Sequence, residues 1–365
     1  MNNHKMIKHL KSFFYGNLKH TSTLNPKKTR LIVVDVGSTG GLENKWQLIN
    51  KYLDIYSFDP DSRSIDDPQK NNINFPYALW SYETKKDLNL TKFPDASSMF
   101  KPNENVLKKY LNHECHEIVK VVTIPTQPLE KILNDKPAPD FIKVDAEGAE
   151  LEILKGSHKF LGKNVLGIEV EVQFQKRNID APSFSEVNSY IQSYGYQLIS
   201  LEREHWIRKN NLWNLNSRPQ IIWANCVYLI DEDLFIKKYI ELSNNDRKIL
   251  LEKIILISLV YGFYDYAFSI LEKIIDEVEL INIKELKNFQ NLIKKNIRSN
   301  FNIISINLIR LIIALLIIVP SSLTFKYRER AILFLKNSIA NLFYSVYSYF
   351  SRSGPKKVAI SDGLK

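Results

Sequence analysis

Between Leu31 and Ile230 the chain alternates short apolar runs with stretches of helical periodicity, and this alternation most narrows what it can fold into. The runs are LIVVDV (31–36), IYSF (55–58), FIKVDA (141–146), LGIEVEV (166–172), YQLISL (196–201) and ANCVYLI (224–230). The first four are β-rich and tightly bounded, as in a parallel sheet covered on both faces. Segments 149–162 and 184–194 carry helical spacing. This pattern predicts an α/β doubly wound sheet. After Asp231 the strand pattern stops, and an all-helical C-terminal region follows. Gly262, Tyr264 and Ala267 have the spacing of one tetratricopeptide-type helical hairpin, but a plain helix pair is the simpler reading of a single copy.

Charge divides the chain in the same way. Residues 1–30 hold seven Lys/Arg and no Asp/Glu, and residues 236–365 hold twenty Lys/Arg against eleven Asp/Glu. From a total of +10, the body 31–235 is left at −6. A nucleic-acid enzyme concentrates positive charge around its active site. Here the charge lies outside the chemistry-bearing body, so no nucleic-acid partner is expected and an anionic surface such as a membrane is. Four regions result: a basic N-terminal arm (1–29), the α/β body (30–234), a helical region (235–350) and a loose tail (351–365). Within the arm, Met6, Ile7, Leu10, Phe13 and Phe14 share one helical face. The oily stretch 303–319 has an uninterrupted apolar core of nine residues, Leu311 to Val319, whereas a span needs roughly 20. Basic residues flank it on both sides. A helix lying in the membrane interface therefore fits better than a crossing one, with peripheral contact expected through 294–350. Two cysteines, Cys115 and Cys226, build neither a disulfide framework nor a zinc cage. A cytoplasmic location, on the inner face of the membrane if bound there, is the expectation.

Four constellations carry chemistry. In LIVVDVGSTGG (31–41) a hydrophobic strand runs into a glycine turn, the junction where open α/β sheets bind nucleotide-like ligands. Aligned on Gly37 and Gly40, the dinucleotide fingerprint has Asp35 in place of its first glycine. A carboxylate there repels a pyrophosphate but suits S-adenosylmethionine, whose ammonium and sulfonium are cationic. Gly37 and Gly40 let the backbone turn sharply and approach a ligand. In YSFDPD, Asp59 follows the second strand by one residue and can accept from both ribose hydroxyls. In DFIKVDAEGAELEILKG, Asp145, Glu147 and Glu150 crowd a strand tip, a clustering suited to a cationic ligand or a proton-abstraction site. Lys143 is available to pair with one of them. In LGIEVEV, Glu169 and Glu171 fall on one face of a buried strand, which is costly unless they are paired or face a cleft.

The ordered blocks VVDVGSTGG, FDPD, YALW, LNLTKFPDASSMFKPN, DFIKVDAEGAELEILKG, LGIEVEV and QIIWANCVYL resemble the FkbM-type methyltransferase family over about residues 30–231. The resemblance implies a class I methyltransferase-like sheet, S-adenosylmethionine as cofactor, and methylation of a hydroxyl on a sugar, glycolipid or natural product. It places cofactor binding at Asp35, Gly37, Gly40, Gly41 and Asp59, and the catalytic groups at Asp145 and then Glu147. Asp59 stands where the family more often has Glu, and Gly41 where many members have a bulkier residue. His205 is a third candidate base. Ser97, Ser98 and Arg208 are expected near the acceptor, with Trp80, Trp206, Trp213 and Trp223 available for stacking. A magnesium ion on Asp145 and Glu169 is allowed but not demanded, and no metal site is assigned. His113, Cys115 and His116 lack a further ligand cluster for zinc. The competing reading is a non-catalytic module with a methyltransferase-like body, docking to a membrane or a protein partner.

Overall fold

The computed structural model describes residues 29–38, 41–61, 72–75, 77–110, 113–209, 220–277 and 291. Residues 22–286 form one compact unit. A second unit comprises 1–21 and 287–365. The basic arm before Thr29, the oily stretch 303–319, the tail 351–365, Gly40 and Trp213 lie outside the described residues.

All six apolar runs are strands. The main sheet contains β1 (Leu31–Val36), β2 (Leu53–Phe58), β3 (Asn72–Phe75), β7 (Phe141–Val144), β8 (Gly167–Gln173), β9 (Tyr196–Trp206) and β10 (Gln220–Ile230). Its order is β3-β2-β1-β7-β8-β10-β9. The first five are parallel, and β10 is antiparallel to both of its neighbours. Every residue of β1 and β8 is buried, which explains their unbroken apolar reading. The strand order reverses between β1 and β7, so the crevice outside their carboxyl ends is the natural ligand position.

A small second sheet was not legible as strands. Its order is β4-β6-β5, from β4 (Ala78–Leu79), β5 (Thr84–Thr91) and β6 (Ile118–Gln127). Lys85 and Asp87 of β5 are exposed, and so are Ile118 to Val121 of β6. Ile118, Val119 and Val121 are apolar yet exposed.

Helix α1 (Glu150–Lys155) is shorter than its periodicity suggests, ending where Gly156 meets the carbonyl of Trp80. A Cβ at Gly156 would lie 2.3 Å from that oxygen. Helix α2 (Phe184–Gln192) opens on a capping box between Ser183 and Glu186. Asp231 then caps α3 (Glu232–Glu241), accepting from the amides of Asp233 and Leu234 at 2.9 and 3.1 Å. Helix α4 (Asn244–Tyr261) ends at Gly262, whose φ of 75° provides the left-handed cap before α5 (Tyr264–Glu277). Among the described residues no helix is long and apolar enough to cross a membrane.

Helices α3–α5 belong to the same unit as the sheet. Tyr261 packs on Trp46 and Phe141, with ring centroids 5.7 and 5.6 Å apart. The Tyr266 hydroxyl donates to the Ile230 carbonyl at 2.6 Å. Lys253 reaches both oxygens of Asp140 at 2.8 Å.

Charged residues stud one face of the sheet. Asp35, Lys143 and Glu169 are in register across β1, β7 and β8. Lys143 lies 3.3 Å from Asp35, and Lys45 lies 3.1 Å from Glu169. The Tyr261 hydroxyl also donates to Glu169, and Lys45 sits over the Tyr261 ring at 4.3 Å. Breaking such a buried pair leaves an uncompensated charge. Lys45→Met should therefore lower the unfolding free energy by about 3–5 kcal/mol, read as a fall in the urea midpoint. An unchanged midpoint would show that Tyr261 alone satisfies Glu169.

Candidate active site

The tips of β1 and β7 are locked together by backbone. The Gly37 amide donates to the Phe58 carbonyl at 2.9 Å, and the Asp145 amide donates to the Val36 carbonyl at 3.0 Å. Gly37 has φ +73°, and a Cβ there would lie 1.7 Å from the carbonyl oxygen of Asp145. Only glycine permits that approach. Gly41, at φ 74°, closes the turn by donating to the Ser38 carbonyl at 2.8 Å.

Beyond these tips opens a cleft of about 220 Å³. Gly37, Phe58 and Ile153 contribute to its lining, and so do five carboxylic acids: Asp59, Asp61, Asp95, Asp145 and Glu147. Among the described lining residues there is no Lys or Arg. Asp59 accepts from the Asp61 amide at 2.9 Å, which fixes the turn after β2. Ser97 and Ser98 also line the cleft. The Ser97 hydroxyl reaches Asp61 at 3.4 Å, and the Ser98 hydroxyl donates to the Glu147 carbonyl at 2.6 Å.

Glu147 adopts φ 49°, a left-handed conformation that costs a non-glycine residue about 1–2 kcal/mol. Its carboxylate lies 3.2 Å from the guanidinium of Arg177, which also pairs with Glu171. Arg177 is 3% exposed. Asp145, Glu147 and Glu171 bring one oxygen each within 4.8 Å, and Arg177 is the cation among them. This is an ion-pair cluster with its counter-charge built in. Burial pushes the Glu147 carboxyl up to about 7 even though Arg177 pulls it down. Glu150 is pushed to about 8 by burial and by Glu171, while it accepts the Ala146 and Gly148 amides at 3.1 and 2.9 Å. Glu171 is likewise raised by burial.

The structure therefore brings Gly37, Asp59, Asp145 and Glu147 to one cleft. Asp35 is fully buried beside Lys143 and does not line it, and neither does Gly41. Burial raises the Asp35 carboxyl, with Lys143 opposing. Burial would lower the Lys143 ammonium, but Asp35 and Asp145 overcome it and raise it. Glu169 is held by Lys45 and Tyr261, so it is not a partner for Asp145 around an ion. Arg208 lies over Tyr110, 6.0 Å from the ring centroid, not in the cleft. Trp206 packs on Tyr110 and His116, Trp223 lies beneath Arg177, and His205 is exposed on β9. The sequence reading missed Arg177. The signal was present: four acids at one sheet end need more counter-charge than Lys143 supplies, and QKRNID follows β8 directly.

This arrangement fits S-adenosylmethionine. The cleft is acidic, the glycine turn exposes backbone, and Asp59 lines the cleft just past β2. Residues 44–198 match the family model described as Methyltransferase FkbM domain. Over that stretch the chain is similar to the FkbM methyltransferase family. Two solved structures align with it. One is the methyltransferase FkbM from Methylobacillus flagellatus KT, at 15% identity over 55% of this chain and 43% of that one, with a TM-score of 0.33. The other is a SAM-dependent methyltransferase from Anabaena variabilis ATCC 29413, at 9% identity over 61% and 92%, with a TM-score of 0.28. The chain thus spans less than half of the first structure's length. No curated protein sequence matches it.

Two predictions arise from the cleft. Gly37→Ala should cost at least about 1–2 kcal/mol from backbone conformation alone, and more from the collision with Asp145. It should lower the melting temperature and abolish cofactor binding; a melting temperature equal to wild type would contradict the close approach. The second concerns pH. Glu150 titrates at about 8 in the fold against an ordinary 4.5. Between those values the folded chain keeps a proton that the unfolded chain has lost. Stability should therefore fall as pH rises through this window and level off above about pH 8. Glu150→Gln should flatten the decline in a urea series against pH, and an undiminished slope would place its origin elsewhere.

Proposed function

We propose that the chain is an S-adenosylmethionine-dependent O-methyltransferase acting on a hydroxyl of a sugar, glycolipid or natural product. The observation that carries this reading is the cleft at the β1/β7 switch point, walled by five carboxylic acids with no cation among its described residues. Such a wall attracts a sulfonium and an ammonium and repels phosphates.

When bound, S-adenosylmethionine supplies a methyl group made electrophilic by the positive sulfur. The protein has two tasks: orientation and removal of the acceptor's proton. Asp59 and the Gly37 backbone hold the cofactor side. Ser97 and Ser98, beside Asp61 and Glu147, face the acceptor. Glu147 takes the acceptor proton onto its carboxylate. Its titration near 7 keeps it both ionised and basic at neutral pH. Asp145, 39% exposed and 4.0 Å from Lys143, orients the acceptor beside it. Alignment supplies most of the acceleration.

Glu147→Gln should lower kcat by about 10²–10⁴-fold and remove the rise in rate as pH climbs through about 7. Retention of that limb in the variant would assign the base elsewhere. The acceptor is sought by mass spectrometry of surface glycans from cells with and without the protein, as a lost methyl increment. We further propose that residues 294–350 hold the protein peripherally on anionic membranes, with their basic flanks as the support. Full-length protein should float with anionic liposomes, and protein that stays at the bottom of the gradient removes this part of the reading.

A further inference from the structure

We infer that Arg177 is a positioning residue for Glu147: its guanidinium, shared between Glu147 and Glu171, holds the Glu147 carboxylate at the cleft wall in the form that accepts a proton. The inference rests on the methyl-transfer reading above and names a residue that reading does not use.

Arg177 is fixed from several sides. Its amide meets the Gln173 side-chain oxygen at 3.0 Å and the Gln175 carbonyl at 2.7 Å. Its carbonyl accepts from the Asn103 amide at 2.7 Å. Its guanidinium lies over the Trp223 ring at 5.7 Å. Glu147 is equally constrained, by its left-handed backbone and by the Ser98 hydroxyl on its carbonyl. The backbones that carry the two groups are therefore fixed, and their side chains meet at 3.2 Å.

The surroundings decide what that contact does. Asp145 and Glu150 face Glu147 from its own segment, Glu171 from β8, and Asp95 from the segment carrying Ser97. Lys143 lies 4.0 Å from Asp145 but closer, at 3.3 Å, to Asp35. Arg177 is thus the cation in direct contact with Glu147 among the described residues. Without it, burial and four neighbouring acids would keep Glu147 protonated at neutral pH. Glu171 engages the same guanidinium nitrogen, so Glu147 does not have the cation to itself.

The test is a carboxyl titration of the full chain labelled with [¹³C]glutamate and followed by NMR, with the Glu147 resonance assigned through Glu147→Gln. Arg177→Met should raise the Glu147 midpoint by about one pH unit or more, a tenfold or larger loss of the ionised form at a given pH. Arg177→Lys should restore most of the shift. Glu171→Gln should move the midpoint downward, and it tests the inference even if Arg177→Met does not fold. A Glu147 midpoint equal to wild type in folded Glu171→Gln or Arg177→Met overturns the positioning role. A purely structural arginine would give that result, lowering the melting temperature alone. Calorimetry with S-adenosylmethionine separates the two levels. Binding by a chain whose midpoint does not move overturns only the role of Arg177, whereas no binding by the wild-type chain overturns the methyl-transfer reading itself.

Discussion

The site depends on one backbone contact. Where β1 ends, Gly37 passes so close beneath the carbonyl of Asp145 that no side chain fits between them. That contact pins the tips of the two strands flanking the switch point. It puts the acids of the β7 tip beside the turn that leaves β1, and it leaves the backbone of that turn open to the cleft. A doubly wound sheet offers a crevice at this place on topological grounds. The glycine makes it narrow, and the flanking carboxylates give it a sign.

Beneath the cleft the sheet carries charge at successive levels. Lys45 holds Glu169, Lys143 holds Asp35, and Arg177 holds Glu171 and Glu147. The register of β7 and β8 puts Lys143 beside Glu169, so Glu171 lies two residues nearer the carboxyl ends. Buried pairs contribute little net stability over apolar packing, although losing one partner is costly. Their effect here is geometric. Glu169, on the lower level, is packed under helix α4 through Tyr261. Glu147, at the top, faces the cleft, where burial moves it toward neutrality.

Much of this was legible in the sequence. The central strands showed as apolar runs because β1 and β8 are buried along their whole length, and the glycine turn and strand-end acids marked the ligand end, whereas the short, partly exposed edge strand β3 gave no such run. The second sheet was not read from the sequence, although β6 is rich in Val and Ile and β5 alternates Leu88 and Leu90 with polar residues. Among the site residues, Asp59, Asp145 and Glu147 could be placed at the cleft from their positions just past strand ends. Asp35 could not be placed so finely. It lies one residue inside β1, and alternation turns it toward Lys143 instead of the opening. Arg177 could not be matched to its partners for a different reason. It lies in a loop beyond β8, and only the fold brings its guanidinium back to acids 6 and 30 positions earlier in the chain. The helices after Asp231 read as a separate region because nothing in their periodicity reveals that Trp46 and Phe141 form their floor.

The central claim is electrostatic: the crevice favours a cationic sulfur compound over a phosphate. Calorimetric titration of the full chain with S-adenosylmethionine and, separately, with a dinucleotide carrying a pyrophosphate tests it most directly. The account predicts saturable binding of the first that weakens as salt screens the acidic wall, and no detectable heat from the second. Equal binding of both, or binding of the dinucleotide alone, would contradict it.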